Sequence, residues 1–334
     1  GGSIGKYTID VLAAPTSSSG NSGGGGSSGT AGPVIVQGSI ATISGTVAAD
    51  VFVWNAALPQ QITINGAAYA LGGATQIRLE GKGGSDTLTI TGGSVAETVR
   101  LRPGSVEFVG GGFSLNATGV ETARFYGGAS DRAWLYDSAA NDYLEAGPAF
   151  ARLAGGGFES AAFGCGAVTV IAGSGNDAAA LRDSAGADLL DANPSYVWLR
   201  GAGFSIRAEG FDDVTVQATA GSGDAAGFYG SAAGDLLWVW GGTRNLYAGG
   251  VQIRTEGFQS AYFDGAGGQD QIDFNSSGPQ PRLRGRGSQG TIADGALATE
   301  FAHVESVLAS VRKNHKLQTD LKAVDFVFRK IGGP

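Results

Sequence analysis

The chain has no methionine, a single cysteine (Cys165) and only two histidines, His303 and His315, in 334 residues. A lone cysteine closes no internal disulfide, so cross-linking is not the source of stability. Its neighbours Phe163, Gly164 and Gly166 suit a small buried side chain better than a reactive thiol. One G-x-S-x-G match, GNSGG around Ser22, stands in low-complexity sequence with no histidine near it, which argues against a serine hydrolase. There is no apolar run long enough to span a bilayer and no charged-then-apolar leader, so export has to be inferred from other features. Charge is scarce: 16% of residues are charged, against an average of roughly 25%, and the net charge is −8. Without a basic stripe, nucleic acid is not an expected partner. A start at Gly1 with no initiator methionine is expected of a processed or excised piece of a longer chain.

Glycine and small apolar residues take the place of charge. The 59 glycines follow no Gly-X-Y period, which excludes collagen, and 42% hydrophobic content is enough for a core. Residues 5–12, GKYTIDVL, alternate like one isolated strand, and 13–33 form a Gly/Ser linker. From 34 to about 310 short Val/Ile/Phe/Tyr runs are punctuated by Gly, Asn and Asp, the pattern of β-strands and tight turns. In the tail, 311–334, Leu317, Leu321, Val324 and Phe328 recur with helical spacing, which predicts a short amphipathic C-terminal helix as a cap.

Repetition is the strongest signal. Asp86, Asp131, Asp177, Asp224 and Asp270, each in a G-x-D-like turn, are spaced 45, 46, 47 and 46 residues apart. Asp50, Glu97, Asp142, Asp188 and Asp235 are spaced 47, 45, 46 and 47. G-x-G-F recurs with Phe113, Phe158 and Phe204, and EGF with Phe211 and Phe258. Series sharing one period mark a repeat architecture whose copies stack to bury a common core. The expected fold is all-β, about five copies of a 46-residue unit, read as a right-handed parallel β-solenoid. Two coils of about 23 residues would make each repeat, with strands ~4.8 Å apart. A stack of antiparallel units is the rival.

The stretches DRAWLYDSAANDYLEA (131–146), DAAALRDSAGADLLDA (177–192) and RGAGFSIRAEGFDDVTVQATAGSGD (200–224) resemble the tandem repeats of very large secreted proteins of planctomycete bacteria. VFVW (51–54) and ITINGAAYAL (62–71) are similar to the module that precedes those repeats. The resemblance covers roughly residues 34–334. It implies an exported, modular surface or matrix protein and brings no catalytic residues with it.

Several motifs suggest chemistry. GKGGSDTLT (81–89), AGSGNDAAA (172–180) and GAGGQDQID (265–273) are similar to single nonapeptides of the calcium-binding β-roll, which makes Asp177, Asp224 and Asp270 the candidate calcium ligands. One carboxylate per turn does not fill a coordination sphere, so the favoured reading has each Asp capping its own turn. GRGSQG (285–290) is a glycine-rich turn without a βαβ unit. Asp183, Asp188 and Asp191 could form the acidic cluster of a polysaccharide-cleaving enzyme, but recurrence of these positions at Asp137 and Asp142 favours a role in the fold. The i, i+2 pairs Trp134/Tyr136, Tyr196/Trp198 and Trp238/Trp240 are expected in the core, the alternative being an exposed platform for sugar rings. Asn116 and Asn275 lie in glycosylation sequons. The tail has six cations against two carboxylates, which suits a solvated helix face rather than contact with an acidic partner.

Together these features predict a non-enzymatic extracellular or cell-surface structural protein, self-associating head to tail as a filament or binding other surface proteins. It needs no cofactor, with calcium as a candidate. A glycan-binding adhesin module is the alternative.

Overall fold

The computed structural model describes residues 32–333, apart from 219, 220, 222 and 277. The strand expected at 5–12, Ser22 and most of the linker lie outside the described residues. Every described regular element is a strand. Two sheets, of 17 and 16 strands, share one apolar core in a β-solenoid. The alternation in sequence decides which side faces in: Thr87–Thr91 (TLTIT) buries Leu88 and Ile90 and turns its threonines outward.

One repeat contributes five strands. Thr87–Thr91 lies in one sheet, while Thr98–Arg102, Gly104–Gly110 and Phe113–Val120 form an antiparallel meander in the other. Thr122–Tyr126 then returns to the first sheet, parallel to Thr87–Thr91. In the next repeat the sheets exchange roles: Arg132–Tyr136 stacks on Thr98–Arg102, and the meander Asp142–Gly147, Phe150–Gly155, Phe158–Phe163 forms opposite it. Equivalent strands of successive copies therefore alternate between sheets. Thr98, Arg132, Ala167 and Ser205 are directly stacked in parallel and lie 34, 35 and 38 residues apart. The expected 23-residue coils are thus replaced by longer ones among the described residues, apart from the last step, Ser306 to Val327, which spans 21. Three-stranded meanders fill every second stretch of each sheet, so the parallel and antiparallel architectures occur together.

The glycine motifs are explained by this geometry. Gly111–Gly112 and Gly156–Gly157 close two-residue hairpins with φ of +59° and +82°, and +47° and +86°, which side chains resist. Gly175 has no room for a side chain, because a Cβ there would press on the carbonyl of Ala140 in the preceding turn.

Two expectations are corrected. The tail forms no helix. Gln318–Val324 pairs in parallel with Arg282–Gly287, and Val327–Ile331 with Ser306–Ser310. The last turn offers unpaired backbone groups that strands satisfy, and this outweighs an apolar spacing that only four residues carry. The aromatic pairs also face outward. Ala133 and Leu135, Val197 and Leu199, and Leu237 and Val239 take the inward positions, and Trp240 is 51% exposed. Outside, the rings lie against guanidinium groups: Arg102 on Tyr136, Arg200 on Trp198 and Arg207 on Tyr196, at 4.3, 4.0 and 3.9 Å. Different rings fill the core, among them Trp54, Phe108, Phe125, Phe228, Phe263 and Phe274. Cys165 is buried as expected, and burial, reinforced by the charges of Asp131 and Glu97, pushes its thiol up to about 12.

Candidate functional site

The two acidic series meet where the chain enters its strands. Asp50, Asp86, Glu97, Asp131, Asp142, Asp177, Asp188, Asp224, Asp235 and Asp270 are all 3% exposed or less. Such burial needs partners, and these come from the neighbouring turn. The backbone N–H of Asp142 donates to Asp177 Oδ1 at 2.8 Å, and that of Asp177 donates to Asp212 Oδ2 at 2.8 Å. Asp188 donates likewise to Asp224 Oδ1 (3.0 Å), and Asp224 to Gln259 Oε1 (2.7 Å). Asp50, Asp86 and Glu121 form the same ladder, as do Asp235, Asp270 and Glu305. In the second copy, Glu97 donates to Asp131 Oδ1 at 2.8 Å. The first series also anchors its own turn. Asp142 Oδ2 accepts from the Ser138 N–H and hydroxyl, both at 2.8 Å, and Asp188 Oδ2 accepts the same pair from Ser184.

Asp177, Asp224 and Asp270 therefore accept from a strand start one turn away, and the expected capping of their own turns is not found among the described residues, whereas Asp131 also accepts from Gly128 of its own turn. The cluster read at 183–191 divides. Asp191 faces outward and pairs with Arg200, while Asp183 and Asp188 meet Asp224 from the next turn. Asp183, Asp188 and Asp224 each offer a carboxylate oxygen, all within 4.8 Å of one another, and Asp137, Asp142 and Asp177 do the same one repeat earlier. Asp270 has Asp235 beside it, but the equivalent of Asp137 and Asp183 is Gly230.

The local electrostatics follow the partners. Burial, with the charges of Asp137, Asp142 and Asp212, holds Asp177 above the usual carboxylate range. Burial raises Asp137 too, with Asp142 adding to it. Asp270 is pushed up to about 6 by burial, then by Asp235, Glu305 and Asp264. Burial pulls Asp50 the same way, yet donation from Thr46 and Asn65 leaves it below its ordinary value.

Reading by sequence proximity missed that each triad takes one carboxylate from the next turn: Asp177 lies 35 residues beyond Asp142, and Asp224 lies 36 beyond Asp188. A signal was present: an Asp five residues before the first-series acid occurs in two of the five copies and Gly in the other three. No sequence signal marked Arg244. It is buried without a carboxylate and donates to Phe258 O, Ala298 O and Thr299 Oγ1, tying one sheet to the other. Burial lowers its pKa to about 10.

Among known proteins, no family model matches the chain, and neither a curated protein nor a solved structure gives a match.

Proposed function

We propose that this chain is a structural segment of an exported surface or matrix protein of the planctomycete repeat kind, a stacked module that associates end to end. The observation that carries the reading is the pair of open ends. Val34–Gln37 and Ala67–Ala70 at one end, and Gln318–Val324 and Val327–Ile331 at the other, are each paired on one side only among the described residues. Unpaired edges are templates for another chain. The first end is uncharged, with Ile35 and Val36 exposed, whereas the second carries Asp320, Lys322, Arg329 and Lys330. Ends of unlike character favour a head-to-tail contact over a symmetric one. The two acidic series support a non-enzymatic role, since their side chains are buried in turn-to-turn bonds.

Negative-stain microscopy and sedimentation of the full chain test this. Filaments or concentration-dependent oligomers that disappear in Ile35→Lys, and change when residues 1–33 are removed, are the expected result. Dispersed monomers at every concentration would remove the end-to-end reading. The second reading, a glycan-binding module, is favoured by the outward aromatics and by a shallow trough lined by Asp191, Arg200, Tyr229, Tyr262 and Glu300. It predicts that Tyr229→Ala or Tyr262→Ala abolishes retention on a polysaccharide that the wild-type chain binds.

A further inference from the structure

The two carboxylate triads differ from the other acidic turns in a way that the fold does not require. In all five copies the turn-to-turn hydrogen bond is made by the first- and second-series acids. The third carboxylate is absent from three copies, where Gly45, Gly92 and Gly230 stand in place of Asp137 and Asp183. Adding a buried or half-buried charge beside two others is unfavourable at short range unless something offsets it.

The bonding of the neighbouring oxygens is the second observation. In each glycine copy one of the two buried acids is fully bonded. Asp50 accepts from Thr46 and Asn65, Asp131 from Glu97 and Gly128, and Asp235 uses both oxygens on Ser231. In each triad copy both have, among the described residues, a buried oxygen with no hydrogen-bond donor: Asp177 Oδ2 and Asp224 Oδ2, as at Asp86 and Asp270 in the glycine copies, and also Asp142 Oδ1 and Asp188 Oδ1, which face Gly155 and Gly201. Asp142, Asp177, Asp188 and Asp224 are 3% exposed or less. Their donors are backbone N–H groups and serine hydroxyls, and among the described residues no guanidinium or ammonium partner neutralises them.

We propose that Asp137, Asp142 and Asp177, and again Asp183, Asp188 and Asp224, are two divalent-cation sites that clamp successive turns of the solenoid, with calcium as the fitting ion. All donors are hard oxygens, without histidine or thiol, and three carboxylates from two turns suit the large, flexible oxygen shell of calcium better than the strict octahedron of magnesium. The copy that contains Asp270 lacks the third carboxylate and holds no ion of this kind.

The full chain, freed of metal by chelation, is titrated calorimetrically with calcium chloride. Two equivalents bind per chain. Asp137→Gly and Asp183→Gly each remove one, and the double variant removes both. Each variant installs the residue that three sister repeats already carry, so the fold is retained, and circular dichroism checks this. Thermal unfolding serves as a second readout: calcium raises the wild-type midpoint by several degrees and leaves the double variant unmoved. Absence of binding heat and of a midpoint shift at millimolar calcium would overturn the proposal. So would two equivalents retained in the folded double variant, or magnesium binding where calcium does not.

Discussion

The third and fourth acidic turns and the other three share one backbone solution and differ in what is placed on it. In the glycine copies, successive turns meet glycine on glycine. A Cβ on Gly45 would press on the carbonyl of Gly81, and one on Gly230 would lie 2.6 Å from that of Gly265. In the third copy Asp137 stands over Ala172, and its side chain accepts from the N–H of Gly173 at 2.6 Å. The bond from one strand start to the next turn's carboxylate is common to all five. The repeat therefore separates two roles: a ladder that builds the stack, and an extra carboxylate that only some turns carry. Repetition by itself does not assign a residue to the fold.

The acidic turns are most sensitive at the first glycine of G-x-G-F, which lies opposite the first-series acid. A methyl group on Gly201 would overlap Asp188 Oδ1 and come within contact of the Phe204 ring, and one on Gly155 would overlap Asp142 Oδ1. The fifth copy carries Ala248 at this position, and there Asp235 turns both oxygens onto Ser231. Gly201→Ala is expected to cost about 3 kcal/mol, since a buried ring must move as well as a carboxylate. Gly155→Ala should cost less, because Asp142 can turn as Asp235 does. Urea-unfolding midpoints of the two variants measure the difference.

A smaller effect separates two glycine copies from each other. Asp270, raised to about 6 by burial and by Asp235, Glu305 and Asp264, keeps its proton in the folded chain at pH values where the unfolded chain, with an ordinary value of 3.8, has lost it. The folded state then binds more protons, so this contribution is present below pH ~4 and is lost as pH rises through ~6. Asp50, lowered by its donors, has the opposite sign: its contribution is present above the ordinary value and is lost as pH falls. Asp270→Asn should flatten the decline in stability between pH ~4 and ~6 by about 2 kcal/mol, while Asp50→Asn should lose stability mainly at neutral pH. Thermal midpoints from pH 4 to 8 read both.

Much of this architecture was legible, and the limits have physical causes. Period, strand content and turn positions could be read because Gly and Asp recur where tight turns and buried strand starts demand them. Exchange of the sheets in successive repeats left no trace, since both sheets bury the same alternation of residues. The tail misled because Leu317, Leu321, Val324 and Phe328 fit a helical spacing while the open sheet edge imposed strands. The outward rings misled because Trp134 and Trp198 share a face, but only the neighbouring Ala, Val and Leu fit between the sheets. In the triads, Asp142 and Asp177 were read as members of separate series because the contact between turns spans 35 residues.

The finest test asks what one carboxylate contributes in each class of turn. Asp86→Ala, in a glycine copy, leaves the buried N–H of Asp50 without its acceptor, and Asp177→Ala does the same to Asp142. An unmet buried donor is unfavourable by about 1–3 kcal/mol. The two variants nevertheless relieve different repulsions. Asp86 has Glu121 and Asp50 as its charged neighbours, whereas Asp177 has three, Asp137, Asp142 and Asp212. Without calcium, Asp177→Ala should therefore cost less than Asp86→Ala, by about 1 kcal/mol. With millimolar calcium the order should reverse, because Asp177→Ala then also loses a bound ion while Asp86→Ala loses none. Paired unfolding curves with chelator and with calcium read the crossover. An order that is the same in both conditions would mean that the triads hold their charge without a cation.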